Sequence, residues 1–276
     1  MGHSTAQQQP ILTNLERGLD VSKMSGHRLL ACVGKRVLRP GGLKLTHRLL
    51  ASLSVDTDDD VVEFAPGMGT TARLILDRSP RSYLGVERNT ETINLAARRL
   101  PKRPHATVMV GAADKTNLPA ASASVVLGEA MLTISAPEQK ERIVAEAFRI
   151  LRPGGRYGIH ELCVVPDQMR PEQRREIEQS LYPIILAGAH PLPAEEWKTL
   201  LVGAGFQIVE IGYAPMHLLH PCRLIRDEGI VGTFRVARNL LLDRDVRQRV
   251  LAMHNVFERY REVLRAIFII AQKAHE

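Results

Sequence analysis

An α/β fold around a mostly parallel sheet is what this chain predicts, on three observations. Short apolar runs alternate with segments of helical period from about residue 56 to the end. The first run, Val61-Val62-Glu63-Phe64, passes directly into Ala65-Pro66-Gly67-Met68-Gly69 and then into a helix-like stretch. A second run, Leu84-Gly85-Val86-Glu87, ends on a carboxylate.

The elements follow in order. Ala72 to Leu76 begins a helix, Ser82 to Val86 is the second strand, and Ile93, Ala97 and Leu100 mark one helical face. Thr107 to Val110 is the third strand and Val125 starts the fourth. Pro137-Glu138 opens a helix whose stripe is Ile143, Val144, Ala147, Phe148 and Leu151, and Arg152-Pro153-Gly154-Gly155 is expected to end it. Arg156 to Leu162 is the fifth strand, Glu195 to Ala204 a helix, Phe206 to Tyr213 the sixth strand and Ile267 to Ala271 the last. Between residues 166 and 193, the prolines at 183, 191 and 193 are expected to limit regular structure.

The turn at 63–69 carries the chemistry. Its two glycines let the backbone approach a ligand without Cβ interference, and Glu87 suits a ribose hydroxyl pair. The pattern Gly67-x-Gly69-x-x-Ala72 with Glu87 downstream also satisfies the dinucleotide fingerprint, so an NAD(P)-dependent oxidoreductase is a competing reading. None of Tyr83, Tyr157, Tyr182, Tyr213 and Tyr260 has a lysine four residues on, so the Tyr-x-x-x-Lys pair of short-chain dehydrogenases is absent. After Val108-Met109-Val110 comes Asp114-Lys115-Thr116-Asn117-Leu118-Pro119, and after Val125-Val126-Leu127 comes Glu129-Ala130-Met131-Leu132.

On these motifs the chain resembles the class I S-adenosylmethionine-dependent methyltransferases, in the branch acting mostly on small molecules. The likeness is best over residues 55–165. Glu63-x-Ala65-x-Gly67-x-Gly69 matches the family's acidic and glycine-rich loop, with Ala65 in place of the usual first glycine. The resemblance implies a Rossmann-like fold: a seven-stranded sheet, the last strand antiparallel between the fifth and sixth, and helices on both faces. It also implies S-adenosyl-L-methionine as cofactor, held by Glu63, Ala65, Gly67, Gly69, Thr71, Glu87, Arg88, Asp114, Lys115, Glu129 and Ala130. In that assignment Glu87 takes the ribose, Asp114 the adenine amino group, and Glu129-Ala130 face the methyl donor and acceptor. Arsenite methyltransferases resemble this class and bind the metalloid through spaced thiolates. Cys32, Cys163 and Cys222 are widely spaced, and no cysteine stands near Glu129, so arsenic chemistry and a metal site are disfavoured.

Methyl transfer is an in-line displacement, and a base is needed only for a weakly acidic hydroxyl or a protonated amine. His160, at the end of the fifth strand, is the first candidate base and Glu129 the second; His190 lies in the variable loop. A hydrogen-bonded structural role for His160 is the competing reading.

Two segments lie outside the minimal core: a helical cap at 1–55, broken at Pro40-Gly41-Gly42, and an insertion at about 217–262 within the methyltransferase domain at 56–276. In the insertion, Val246, Val250, Met253, Phe257, Tyr260 and Leu264 repeat at helical spacing, which favours packing on neighbours over a dimer interface; monomer or homodimer is expected. Residues 1–55 hold 8 basic and 2 acidic side chains, 56–216 hold 18 and 21, and 217–276 hold 11 and 7. The excess of positive charge is therefore accessory, and suits an anionic small molecule or acidic headgroup met by Lys35, Arg36 and Arg39. Nucleic acid is disfavoured as a partner: aromatics are 4%, and neither an Asn/Asp-Pro-Pro-Tyr motif nor a Pro-Cys nucleophile occurs. The first ten residues have no basic flank or apolar centre and read as a tail, which with the cysteine usage fits a cytoplasmic protein.

Overall fold

The computed structural model describes residues 21–186 and 188–275; the tail read at the start of the chain lies outside them. β1 (Asp60–Phe64), β2 (Ser82–Glu87), β3 (Ala106–Val110), β4 (Ala123–Glu129) and β5 (Leu151–Val164) run parallel in the order β3-β2-β1-β4-β5. β8 (Leu264–Lys273) is antiparallel to both of its neighbours, β5 and β7 (Phe206–Pro215). That is the expected seven-strand path, with a two-residue β6 (Leu192–Pro193) added beside the end of β5.

Both sheet faces are covered, so the central strands are apolar on both sides rather than alternating. On one face α5 (Pro137–Ile150) and α7 (Ala194–Gly203) bury Ile143, Val144, Ala147 and Trp197 against Phe64, Val126 and Ile269. On the other, α2 (Gly42–Leu53) and α3 (Thr70–Leu76) bury Leu45, Leu49, Leu53 and Ile75 against Val61, Leu127 and Phe268. α2 is thus a sheet-covering helix. Among the described residues before it, α1 (Gly26–Cys32) belongs to the accessory layer.

That layer has its own apolar cluster. α1, α6 (Pro171–Ile185) and α9 (Arg244–Arg259) bring Leu29, Ile177, Leu181, Val250, Met253 and Phe257 onto Leu162 and Leu264 at one end of the sheet. The stripe read at Val246, Val250, Met253 and Phe257 is therefore an intramolecular packing face. Tyr260 caps α9, and Leu264 opens β8.

Two local expectations are corrected. The segment 166–193 contains the fifteen-residue α6, because Ile177, Leu181 and Ile184 recur at helical spacing and are buried, and Pro183 falls in the last turn. Arg152-Pro153-Gly154-Gly155 does not form a turn outside the strand. α5 stops at Ile150, Leu151 already pairs with Ala123, and the register shift before Val125 is absorbed with Gly154 at φ +74°. α4 (Thr90–Arg99) carries the face expected at Ile93 and Leu100, and Asn89 caps it by accepting from the Glu91 and Thr92 amides. The insertion's first helix, α8 (Pro221–Leu242), breaks at Gly229, whose φ of 71° and ψ of 174° are not helical. Among the described residues no helix is long and apolar enough to cross a membrane.

Candidate functional site

Parallel strands end together, so the residues that close β1, β2 and β4 share one edge of the sheet. Here those residues include Glu63, Glu87 and Glu129, three carboxylates on adjacent strands, with Glu63 in register between Gly85 and Leu127.

Each has a different environment. Glu63 is buried and accepts a hydrogen bond from the Tyr83 hydroxyl at 2.7 Å. Burial pushes its pKa up to about 8, with Glu129 and Glu87 adding to the rise against Tyr83 and Arg39. Glu87 is partly exposed. Its Oε1 accepts from the Arg88 and Asn89 amides at 2.8 and 3.1 Å, and its Oε2 from the Gly67 amide at 3.3 Å. Glu129 is surrounded by donors. Oε1 accepts from the Thr46 hydroxyl at 2.6 Å and from His160 Nδ1 at 2.8 Å, while Oε2 takes Arg39 and the Thr71 hydroxyl. Burial opposes ionisation of Glu129, but Arg39 and these bonds overcome it and hold its pKa near 2.

The glycine loop is wound through left-handed backbone at Ala65 (φ 51°), Gly67 (φ 54°) and Gly69 (φ 74°). Ala65 thus adopts a conformation in which a glycine would be unstrained. A Cβ at Gly67 would meet only the Ala65 carbonyl, at 3.9 Å; the space beyond is open for a ligand to approach the backbone.

His160 is fully buried, and neither ring nitrogen is free. Nε2 accepts from the Gly41 amide at 2.9 Å, which makes Nδ1 the protonated nitrogen and Glu129 its acceptor. Burial lowers its pKa, in keeping with a neutral ring. Its neighbour Glu161 points the other way and accepts from the amides of Met131, Leu132 and Thr133 and from the Thr133 hydroxyl. It thereby shapes the loop that follows Glu129. In that loop Ala130 has φ 55° and donates its amide to the His160 carbonyl.

The remaining predicted residues sit on the same edge. The Asp114 carboxylate lies 3.6 Å from Arg142, and Lys115 bonds back to the Ala112 carbonyl through its amide. His190 stands away from the network, in the loop before β6, with its ring 3.6 Å from Glu178 of α6. Sequence reasoning did not single out Thr46, one turn into α2. It placed Arg39 toward a substrate, and here Arg39 is buried on Glu129 and Thr71. Lys35 and Arg36 are likewise committed, both to Glu228. Among the described residues no group of His, Cys, Asp and Glu could hold a metal, and the three cysteines are apart: Cys32 in α1, Cys163 in β5, Cys222 in α8.

Beside Gly41 lies a cavity of about 360 Å³. Its charged walls are Lys44, Arg48, Arg223 and Arg226, with His217 and His220 and no carboxylate. A Cβ on Gly41 would stand 2.8 Å from His160 Nε2, so the glycine allows the wall of this cavity to rest directly on the imidazole.

A methyltransferase-domain family model matches residues 61–155. An uncharacterized protein of Haemophilus influenzae is 32% identical over 255 residues, covering 90% of this chain and 98% of its own. An arsenite methyltransferase of Halobacterium salinarum is 30% identical over 128 residues, 46% of this chain and 32% of that protein. Among solved structures, a Haemonchus contortus phosphoethanolamine N-methyltransferase 2, in complex with phosphomonomethylethanolamine and S-adenosylhomocysteine, superposes with TM-score 0.68 at 15% identity. That match covers 91% of this chain and 58% of that one. With the sheet order, the glycine loop and the strand-end carboxylates, these matches show that the chain belongs to the class I S-adenosylmethionine-dependent methyltransferases.

Proposed function

We propose that this protein transfers a methyl group from S-adenosyl-L-methionine to a small molecule bearing an anionic group. The observation that carries the cofactor half is the set of three carboxylates, Glu63, Glu87 and Glu129, around an open glycine loop. S-adenosyl-L-methionine supplies a methyl group made electrophilic by a positive sulfonium, and its methionine end adds an ammonium. A carboxylate-lined cleft favours these two positive centres over a nicotinamide dinucleotide, whose pyrophosphate is anionic.

In this reading Gly67 and Gly69 admit the ligand to the backbone, Glu63 receives the ammonium, and Glu87 exchanges the Gly67 amide for the ribose hydroxyls. Ala65, Thr71, Arg88, Asp114, Lys115 and Ala130 complete the cofactor contacts. Glu129 and His160 act as positioning residues. The first holds Arg39 and the loop in place, and the second ties the segment at Gly41 to the sheet. With both nitrogens bonded and the carboxylate held near pKa 2, neither is placed to take a proton from an acceptor.

The acceptor half rests on the basic cavity at Gly41. Four cations and two histidines without a carboxylate suit a phosphate or carboxylate on the acceptor. The nematode relative named above is bound to a phosphate-bearing amine, an acceptor of that charge class.

Calorimetric titration with S-adenosyl-L-methionine and with NAD tests the cofactor. Micromolar binding of the first and none of the second is expected; the reverse result ends the proposal. Turnover on paired acceptors differing only by a phosphate or carboxylate tests the second half, the anionic member being favoured.

A further inference from the structure

Exposed apolar side chains are concentrated on α8. After its break at Gly229, Ile230 is 82% exposed, Val231 75%, Phe234 73%, Leu241 75% and Leu242 77%. No acidic residue occurs between Gly229 and Leu242, whereas Arg235 and Arg238 do. A contiguous apolar patch on a soluble domain marks an interaction surface rather than ordinary scatter.

The same helix forms one wall of a cavity of about 790 Å³ that reaches the outer side of the glycine loop at Met68–Thr70. Arg36, Arg73, Arg99, Arg235 and Arg238 line it with one carboxylate, Asp227, and with Phe234. Arg36 is paired with Glu228, but among the described residues Arg73, Arg99, Arg235 and Arg238 have no carboxylate within ion-pair distance. Arg99 is half-buried, and its pKa is lowered by that burial and by the nearness of Arg36 and Arg235. Five arginines against Asp227 and Glu228 leave an excess of positive charge, which is relieved most easily when an anion joins them.

An apolar helix face bordered by unpaired arginines has the chemistry of an interfacial helix on a negatively charged bilayer. We propose that α8 from Ile230 to Leu242 docks this protein on an anionic phospholipid surface, with Val231 and Phe234 entering the acyl boundary and the neighbouring arginines meeting headgroup phosphates. A second copy of the chain fits the patch less well. A two-fold contact would set Arg235 and Arg238 against their own kind, with no acidic residue in the segment to relieve them. This docking is independent of which small molecule accepts the methyl group.

Co-sedimentation of the full chain with vesicles tests it, using phosphatidylcholine alone and phosphatidylcholine with about one-third phosphatidylglycerol. Partition onto the anionic vesicles should exceed that onto neutral ones by about tenfold at low salt and weaken at about 0.5 M salt. V231S/F234S changes only exposed side chains and should cut that partition by about tenfold, with an unchanged melting temperature. R235Q/R238Q should remove the preference for phosphatidylglycerol. Equal binding to both vesicles, or equal binding by V231S/F234S and the parent protein, overturns the proposal. So does a concentration-dependent dimer in light scattering that V231S/F234S abolishes while vesicles capture nothing.

Discussion

The two sides of the Gly41–His160 contact carry opposite charge. On the sheet side stand Glu63, Glu87 and Glu129; on the other, Lys44, Arg48, Arg223 and Arg226 line a cavity without carboxylates. The division follows chain segment. The acidic groups close strands of the central sheet, while the cations come from α2 and α8, in the segments with the positive excess. A net charge of +7 is therefore a sum over two surfaces of opposite sign. The contrast also explains why His160 is buried: it is the seam between the two surfaces, and its bonds hold them at a fixed distance.

The most damaging way to break this arrangement is Glu129→Gln. It leaves Arg39 buried without its counter-charge and weakens the acceptor of the His160 Nδ1–H, which should cost about 3–5 kcal/mol in chemical denaturation. A loss under about 1 kcal/mol would mean that Glu129 does not organise the seam.

Glu87→Ala leaves the fold intact and attacks only the acidic side. It should weaken S-adenosyl-L-methionine binding by about 2–3 kcal/mol, or about a hundredfold, in calorimetry. Unchanged affinity would remove Glu87 from the ligand contacts.

Glu63 sharpens the comparison through pH. Its folded-state value of about 8 lies above the ordinary 4.5, so the folded protein binds a proton that the unfolded chain releases between those values. Stability of the ligand-free protein should therefore fall as pH rises from about 5 to about 8. Glu63→Gln should flatten that fall and raise the melting temperature at pH 8 by about 5 °C. A cationic ligand beside Glu63 displaces the proton, so affinity for S-adenosyl-L-methionine should rise over the same interval. Parallel melting curves for parent and variant would show that Glu63 carries no such linkage.

The smallest effect is expected on the basic side. Arg226→Ala, at an exposed position, should raise KM for an anionic acceptor by about tenfold with kcat nearly unchanged, and leave a neutral acceptor unaffected. Equal effects on both acceptors would remove the charge argument.

How much of this was readable in advance depends on the range of the interaction. The strands, the glycine loop and Glu63, Glu87 and Glu129 were legible because apolar period, turn chemistry and strand-end position are local properties. The antiparallel last strand came with the family resemblance. Helix α6 was not expected, because the prolines at 183, 191 and 193 argued against regular structure; Ile177, Leu181 and Ile184 carry its helical period, and Pro183 is tolerated because it falls in the last turn.

What the sequence determined by itself was the order of the sheet's elements and which residues close its strands, since backbone conformation and hydrophobic period are set within a few residues. Only the tertiary structure decided what those residues touch. Gly41 meets His160 across 119 positions, Arg36 meets Glu228 across 192, and Arg39 meets Glu129 across 90. Burial then set their protonation, raising Glu63 and leaving Glu129 ionised, because desolvation and charge pairing depend on neighbours that only folding supplies.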